Sequence, residues 1–228
     1  MNELAGKQKT SPWQNVLTQR NFRLLWIGEG LSLLGDQFYL IALPWLVLQM
    51  TGNILILGGI LAVAGIPRAV FMLVGGAITD RFSSRTVMLV SNILRMIVVI
   101  LLTVLVVTGE MRLWMLYVLT FIFGIVDAFF FPAQSSIIPQ FVNQEGLQIG
   151  NTIIQGTAQL SRFVGPVLAG TLIALLSGAS KAPMTGTEYS PDLTGIAVAF
   201  GFDALTFMVS VISLWMMRIP ETNDDSRH

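Results

Sequence analysis

The sequence predicts an all-α membrane protein whose six spanning helices form one bundle, and three observations predict it. Of 228 residues, 54% are hydrophobic and 11% charged, with mean hydropathy +0.72, whereas a soluble domain carries about 25% charged residues. Six apolar stretches, 23–49, 54–79, 86–108, 113–138, 149–177 and 194–217, reach the ~20 residues that a helix needs to cross a bilayer core. Basic residues also alternate by side. With the N-terminus inside, the inner loops and ends hold Lys7, Lys9, Arg20, Arg23, Arg81, Arg85, Arg218 and Arg227, and the outer side only Arg112 and Lys181. That bias puts both termini in the cytoplasm, of a plasma (bacterial inner) membrane. The inner loop around 143–148 is an exception, with no basic residue.

The same composition excludes several classes. Net charge is zero, so no basic field draws nucleic acid. Cysteine is absent and the single histidine is His228, which leaves little material for a metal site, a thiolate or a His-based catalytic centre. No cofactor is expected. Residues 1–22 carry Lys7 and Lys9 without the apolar run of a cleaved signal peptide, and read as a cytoplasmic lead-in. Residues 23–217 are the bundle. Residues 218–228, polar and charged, read as a cytoplasmic tail or the start of an interdomain linker.

Span 1 contains Glu29, Ser32 and Asp36. Seven residues separate the two acids, so they share one face two turns apart. Each charge at bilayer depth costs at least ~2.5–3.5 kcal/mol, so that face must meet protein or water. Span 2 carries Pro67 and Arg68, the latter just inside the midplane. Its proline frees a carbonyl that neighbours must satisfy. Span 3 presents Ser91, Asn92 and Arg95 within one turn. Span 4 holds Gly124, Asp127, Pro132 and Gln134, with Asp127 and Gln134 again on one face, and Phe129, Phe130 and Phe131 as packing. In span 5, Asn151, Gln155, Gln159, Arg162 and Pro166 fall within about 80° of arc on an ideal helix. A polar stripe of that length implies a water-filled cavity. Span 6 carries Asp203, Thr206, Ser210 and Ser213 in a narrow arc. The outer loop 179–193 is polar, with Gly and Pro.

A weak internal repeat relates the halves. Spans 1 and 4 each carry Asp, then Phe, then Pro (Asp36, Phe38, Pro44; Asp127, Phe129, Pro132). Spans 2 and 5 each set an Arg near a Pro (Arg68, Pro67; Arg162, Pro166). Matching proline interruptions in two three-helix halves mark inverted-repeat transporters. The spans also enclose four acids, Glu29, Asp36, Asp127 and Asp203, against three arginines, Arg68, Arg95 and Arg162. Arginine stays protonated, so one-to-one pairing leaves one acid over. Burial disfavours the charged form of an unpaired carboxyl, and such a group can bind and release a proton. Asp36 is the expected carrier, ahead of Glu29 and Asp127.

The turn from Gly75 to Arg85 joins spans 2 and 3. Its Gly76, Asp80, Arg81 and Arg85 match the loop between helices 2 and 3 of the major facilitator superfamily, with Ser83 and Ser84 replacing a glycine and an arginine of that pattern. Asn21 to Arg23, Leu34 to Asp36 and Leu43 to Leu48 resemble the start of enterobactin-exporter-like and macrolide-efflux-like members. Gly165, Pro166 and Gly170 resemble the helix-5 motif of proton-coupled exporters, with Ala169 in place of one glycine. The resemblance, over about residues 20 to 220, implies one 3+3 inverted-repeat bundle, the N-terminal half of a twelve-span exporter. It implies proton-coupled efflux of a drug or siderophore by alternating access. It makes Gly76, Asp80, Arg81 and Arg85 the gate, and Glu29, Asp36, Asp127 and Arg162 the cavity. Partners would be the lipid bilayer, a small molecule, protons, and a second six-helix half from the same chain or a second copy.

Two rival readings stand against this one. A non-transporting scaffold or accessory subunit would bury paired charges with no surplus acid. An intramembrane aspartyl protease would need Gly-x-Gly-Asp, and Leu33 to Asp36 lacks the first glycine.

Overall fold

Long runs rich in Leu, Ile and Val with no water to hydrogen-bond must satisfy their backbone internally, and each apolar stretch is one α-helix. The computed structural model describes residues 12–79, 81–142, 144–177 and 193–217. The helices are α1 Pro12–Thr18, α2 Arg20–Thr51, α3 Ile54–Thr79, α4 Ser84–Val107, α5 Leu113–Ile137, α6 Gln144–Leu176 and α7 Thr194–Met216, with a 3₁₀ turn at Ile138–Gln140. Helices α2 to α7 are the six spans.

The two largest boundary shifts are outward. Helix α2 begins at Arg20 rather than 23, and α6 at Gln144 rather than 149. Hydropathy marks only the apolar part of a helix, while backbone hydrogen bonding continues until a breaker. At 1.5 Å per residue the 33-residue α6 is about 50 Å long, well beyond a ~30 Å hydrocarbon core. Helix α1 lies within the segment read as a lead-in. It buries Val16 and leaves Trp13 and Leu17 exposed, against α2 and α6. Residues 1–11, the loop 178–192 and the segment 218–228 lie outside the described residues.

Helix α2 ends on Gly52, left-handed at φ 59°, whose N–H returns to the Leu48 carbonyl at 2.8 Å. Asn53 Oδ1 then accepts the Leu55 N–H at 2.8 Å and starts α3, so these two polar residues reverse the chain.

Helix α2 packs chiefly on α7 and α6, α5 chiefly on α3 and α4, and α4 meets α7 between them. Exchanging α2 with α5, α3 with α6 and α4 with α7 maps these principal pairs onto one another, as a 3+3 repeat requires. Two apolar clusters fill the bundle. One gathers Phe38, Leu46, Leu102, Leu116, Phe200 and Phe207. The other gathers Phe22, Leu25, Met88, Ile137 and Leu214. The buried polar side chains Glu29, Ser32, Ser91, Asn92, Arg95, Asp127 and Ser210 fall on the turns between them. At Pro132, which has no N–H, the Ala128 carbonyl loses its helical partner. Gly75 of α3 sits directly against that carbonyl, where an added Cβ would be 2.8 Å away.

Candidate functional site

The buried stripe of α4 runs Met88, Ser91, Asn92, Arg95, Val98, Val99 and Leu102, and the helical period carries Arg95 into the bundle with its neighbours. Arg95 is 2% exposed. Its Nη2 donates to Asp36 Oδ1 of α2 at 2.5 Å and lies 3.3 Å from Asp127 Oδ1 of α5. Its Nη1 reaches Asn92 Oδ1 at 3.5 Å, and Asn92 Nδ2 donates to Ser210 Oγ of α7 at 2.8 Å. The guanidinium carbon lies 4.5 Å from the Phe207 ring centre, 4.9 Å from Phe130 and 5.2 Å from Phe123. Such cation–π contacts strengthen where water is excluded. Asp127 Oδ2 also takes Arg68 Nη1 of α3 at 3.0 Å. Arg68 lies 4.5 Å from the Phe131 ring centre, and its side chain is 45% exposed. An unbroken chain of alternating charge, Asp36–Arg95–Asp127–Arg68, therefore crosses four helices.

This arrangement corrects the one-to-one count. Asp36 is not the unpaired acid, because Arg95 holds it. A guanidinium has five donors and a carboxylate two acceptor oxygens, so Arg95 serves two acids and Asp127 two arginines. Among the described residues, Glu29, Asp203 and Arg162 are then left without an ion pair. Glu29 accepts from Gln134 Nε2 at 2.5 Å on Oε1, and its Oε2 has no partner. From α5, Gln134 meets Glu29 directly, and Asp127 is joined to Asp36 through Arg95. Asp203 is fully buried with no hydrogen bond to either carboxyl oxygen.

Gln155, Gln159 and Arg162 of α6 are exposed and stand apart from the charged chain. Their stripe runs beside the buried face of Ile154, Ala158, Ser161, Gly165 and Ala169. The exposed apolar residues Leu160, Phe163 and Val167 lie further round the helix. In the helix-5 motif, Gly165 presses on the side chain of Gln37, where a Cβ would be 2.5 Å away, while Pro166 is half-buried and Gly170 faces open space. Of the two motif glycines, only Gly165 makes a close approach.

In the turn between α3 and α4, the close approach belongs to Gly75, not Gly76, which has open space around it. Asp80 lies outside the described residues, and Arg81 is exposed. Arg85 turns to α7, where its Nε and Nη2 donate to the carbonyls of Leu214 and Trp215 at 2.7 Å each. These are among the carbonyls that a helix end leaves unpaired, so Arg85 is a cap within the bundle. Sequence reasoning missed Phe123 and Phe207, which reach Arg95, and Trp26, whose Nε1 donates to Thr157 Oγ1 at 2.9 Å across α2 and α6. Aromatic residues in an apolar run look like packing, so only the spacing of seven between Phe123 and Phe130 hinted at a shared target.

A family model described as transmembrane secretion effector, of the major facilitator type, matches residues 10–227. The chain belongs to the major facilitator superfamily. It is similar to the multidrug efflux pump Tap of Mycolicibacterium fortuitum, 30% identical over 72% of this chain and 41% of that protein. Macrolide efflux protein A of Streptococcus pyogenes is 24% identical over 89% of this chain and 46% of its own length. The uncharacterized MFS-type transporter YvqJ of Bacillus subtilis (strain 168) is 26% identical over 70% and 38%. The chain thus spans less than half the length of these relatives. Membership in a superfamily of transporters, with six apolar helices, makes it a multi-pass membrane protein and removes the protease reading.

Proposed function

We propose that this chain is the N-terminal six-helix half of a proton-coupled exporter, moving a small lipophilic molecule across the plasma membrane by alternating access, with both termini cytoplasmic. The observation that carries this is the charged chain Asp36–Arg95–Asp127–Arg68 at mid-bundle, with Arg68 at its open end. Charges at bilayer depth are expensive unless they face protein or water, and four helices converge to hold these. The names of two relatives, a multidrug pump and a macrolide efflux protein, support export of a drug-like compound.

A second six-helix half covers the open side, supplied by the same longer chain or by a second copy. Three features support it. The relatives extend well beyond the matched part. The exposed polar stripe of α6 cannot face acyl chains. Gly58, Ala62, Gly65 and Ala69 form an exposed strip of small residues on α3, suited to close helix packing in lipid. In this reading Gly76, Asp80 and Arg81 meet the second half as the gate, and Arg85 anchors that loop to α7.

The test is ethidium and erythromycin transport in everted vesicles that carry the chain in its natural reading frame. Uptake that stops when nigericin collapses the pH gradient is expected. Uptake of neither compound, or uptake indifferent to nigericin, overturns proton-coupled export.

A further inference from the structure

Among the described residues, Asp203 is the acid of the buried layer with neither an ion pair nor a well-formed hydrogen bond. It sits in the middle of α7, is 0% exposed, and has no hydrogen-bond donor on either carboxyl oxygen among the described residues. The Thr206 hydroxyl beside the carboxyl donates to the Asp203 backbone carbonyl at 2.7 Å. The carboxyl lies against α2 at Gly35, where an added Cβ would be 2.6 Å from Oδ1. Only a missing side chain makes room for it there, one residue from Asp36. An isolated buried carboxylate is far costlier than a buried carboxylic acid.

The groups around it complete the picture. Helix α2 presents Asp36 and the Tyr39 hydroxyl, which is buried without a partner, and Glu29 two turns below. Helix α4 presents Arg95, whose Nε also lacks an acceptor. Asp127 of α5 shares that guanidinium, 3.3 Å from Nη2. Helix α6 offers no charge here, since Arg162 is exposed. Phe207, one turn from Asp203 on α7, already lies 4.5 Å from the Arg95 guanidinium carbon. Nη2 of Arg95 thus serves both Asp36 and Asp127, while its Nε donor is unused.

We propose that Asp203 is the proton-holding carboxyl of this half, and that it releases its proton by taking Arg95 from Asp36. The inference rests on the proton-coupled reading above and names the group that serves it. In the exchange the O–H bond of Asp203 breaks and its proton passes to the Asp36 carboxylate. Arg95 moves the opposite way, from Asp36 to the new Asp203 carboxylate. Charge is conserved within the layer. Asp36 is 26% exposed, so it passes the proton on to water. The move also unties α2 from α4 and ties α4 to α7, which converts a proton event into a change of helix contacts.

Infrared difference spectroscopy of the full natural protein in lipid, with aspartate labelled by ¹³C at the carboxyl, tests this. The expected result is an aspartic-acid C=O band at neutral pH that is lost in Asp203→Asn. In Asp36→Asn the band weakens at the same pH, because Arg95 is then available to Asp203. A band that survives Asp203→Asn overturns the assignment, and a band unchanged in Asp36→Asn overturns the exchange. If Asp203→Asn does not fold, labelled wild-type protein still decides, since absence of any aspartic-acid band at neutral pH refutes a protonated Asp203. Ethidium flux read on the same samples separates the two proposals. Flux indifferent to nigericin with the band behaving as expected overturns the coupling reading and leaves the proton on Asp203.

Discussion

Arg95, 2% exposed, holds two acids at once. Arg95→Ala leaves Asp36 and Asp127 facing each other without the cation they share. Stripping one partner from a buried ionic group costs ~3–5 kcal/mol, so thermal unfolding of the variant in nanodiscs should begin far below wild type. Lysine keeps the charge but offers one point rather than a planar fork. Arg95→Lys should therefore fall between the two, and a melting curve equal to wild type for either variant refutes the shared clamp. Gly35 makes the complementary case. A methyl group there meets Asp203 Oδ1 and Thr206, and overpacking of this kind costs ~1–3 kcal/mol. Gly35→Ala should lower the melting temperature, whereas Gly58→Ala, in open space, should not.

At the scale of the helix, Arg85 and the α6 stripe make separable predictions. Arg85 caps the end of α7 through two carbonyls, and a hydrogen bond from a charged donor is worth ~1.5–3 kcal/mol. Arg85→Ala should speed amide exchange in peptides covering 210–217 and leave those of α5 unchanged. For α6, these 228 residues hold no cysteine, so a thiol introduced here is unique among them. Gln159→Cys should react with a charged, membrane-impermeant maleimide, while Phe163→Cys, on the apolar side of the same helix, should not. If Gln159→Cys labels no more than Phe163→Cys and neither reacts, the polar stripe does not face water. Element identity and length were legible because burial in hydrocarbon enforces long apolar runs, and α3 has the expected bounds. The short helix α1 was not legible, since seven residues with three apolar side chains leave no periodic signal.

At the scale of the molecule, the proposed reading makes this bundle one half of a larger transporter. Its relatives run to more than twice the matched length, and its exposed surface includes both polar residues and a small-residue strip. A cysteine at Gly65 should cross-link to the covering half, within one polypeptide if the natural chain is longer and between two copies if it is not. Lack of any cross-link in membranes would remove the strip as an interface.

The inventory was readable from residues alone: six helices, four acids and three arginines at bilayer depth, and a polar stripe on α6. Each follows from hydropathy and helical period, which are local properties. Who holds whom was not readable. A guanidinium can bridge two carboxylates, and a glycine on a facing helix can make room for a third, so pairing depends on which turns the packing brings to one depth. That is why Asp36, unpaired by arithmetic, sits clamped by Arg95, while Asp203 lies alone against Gly35.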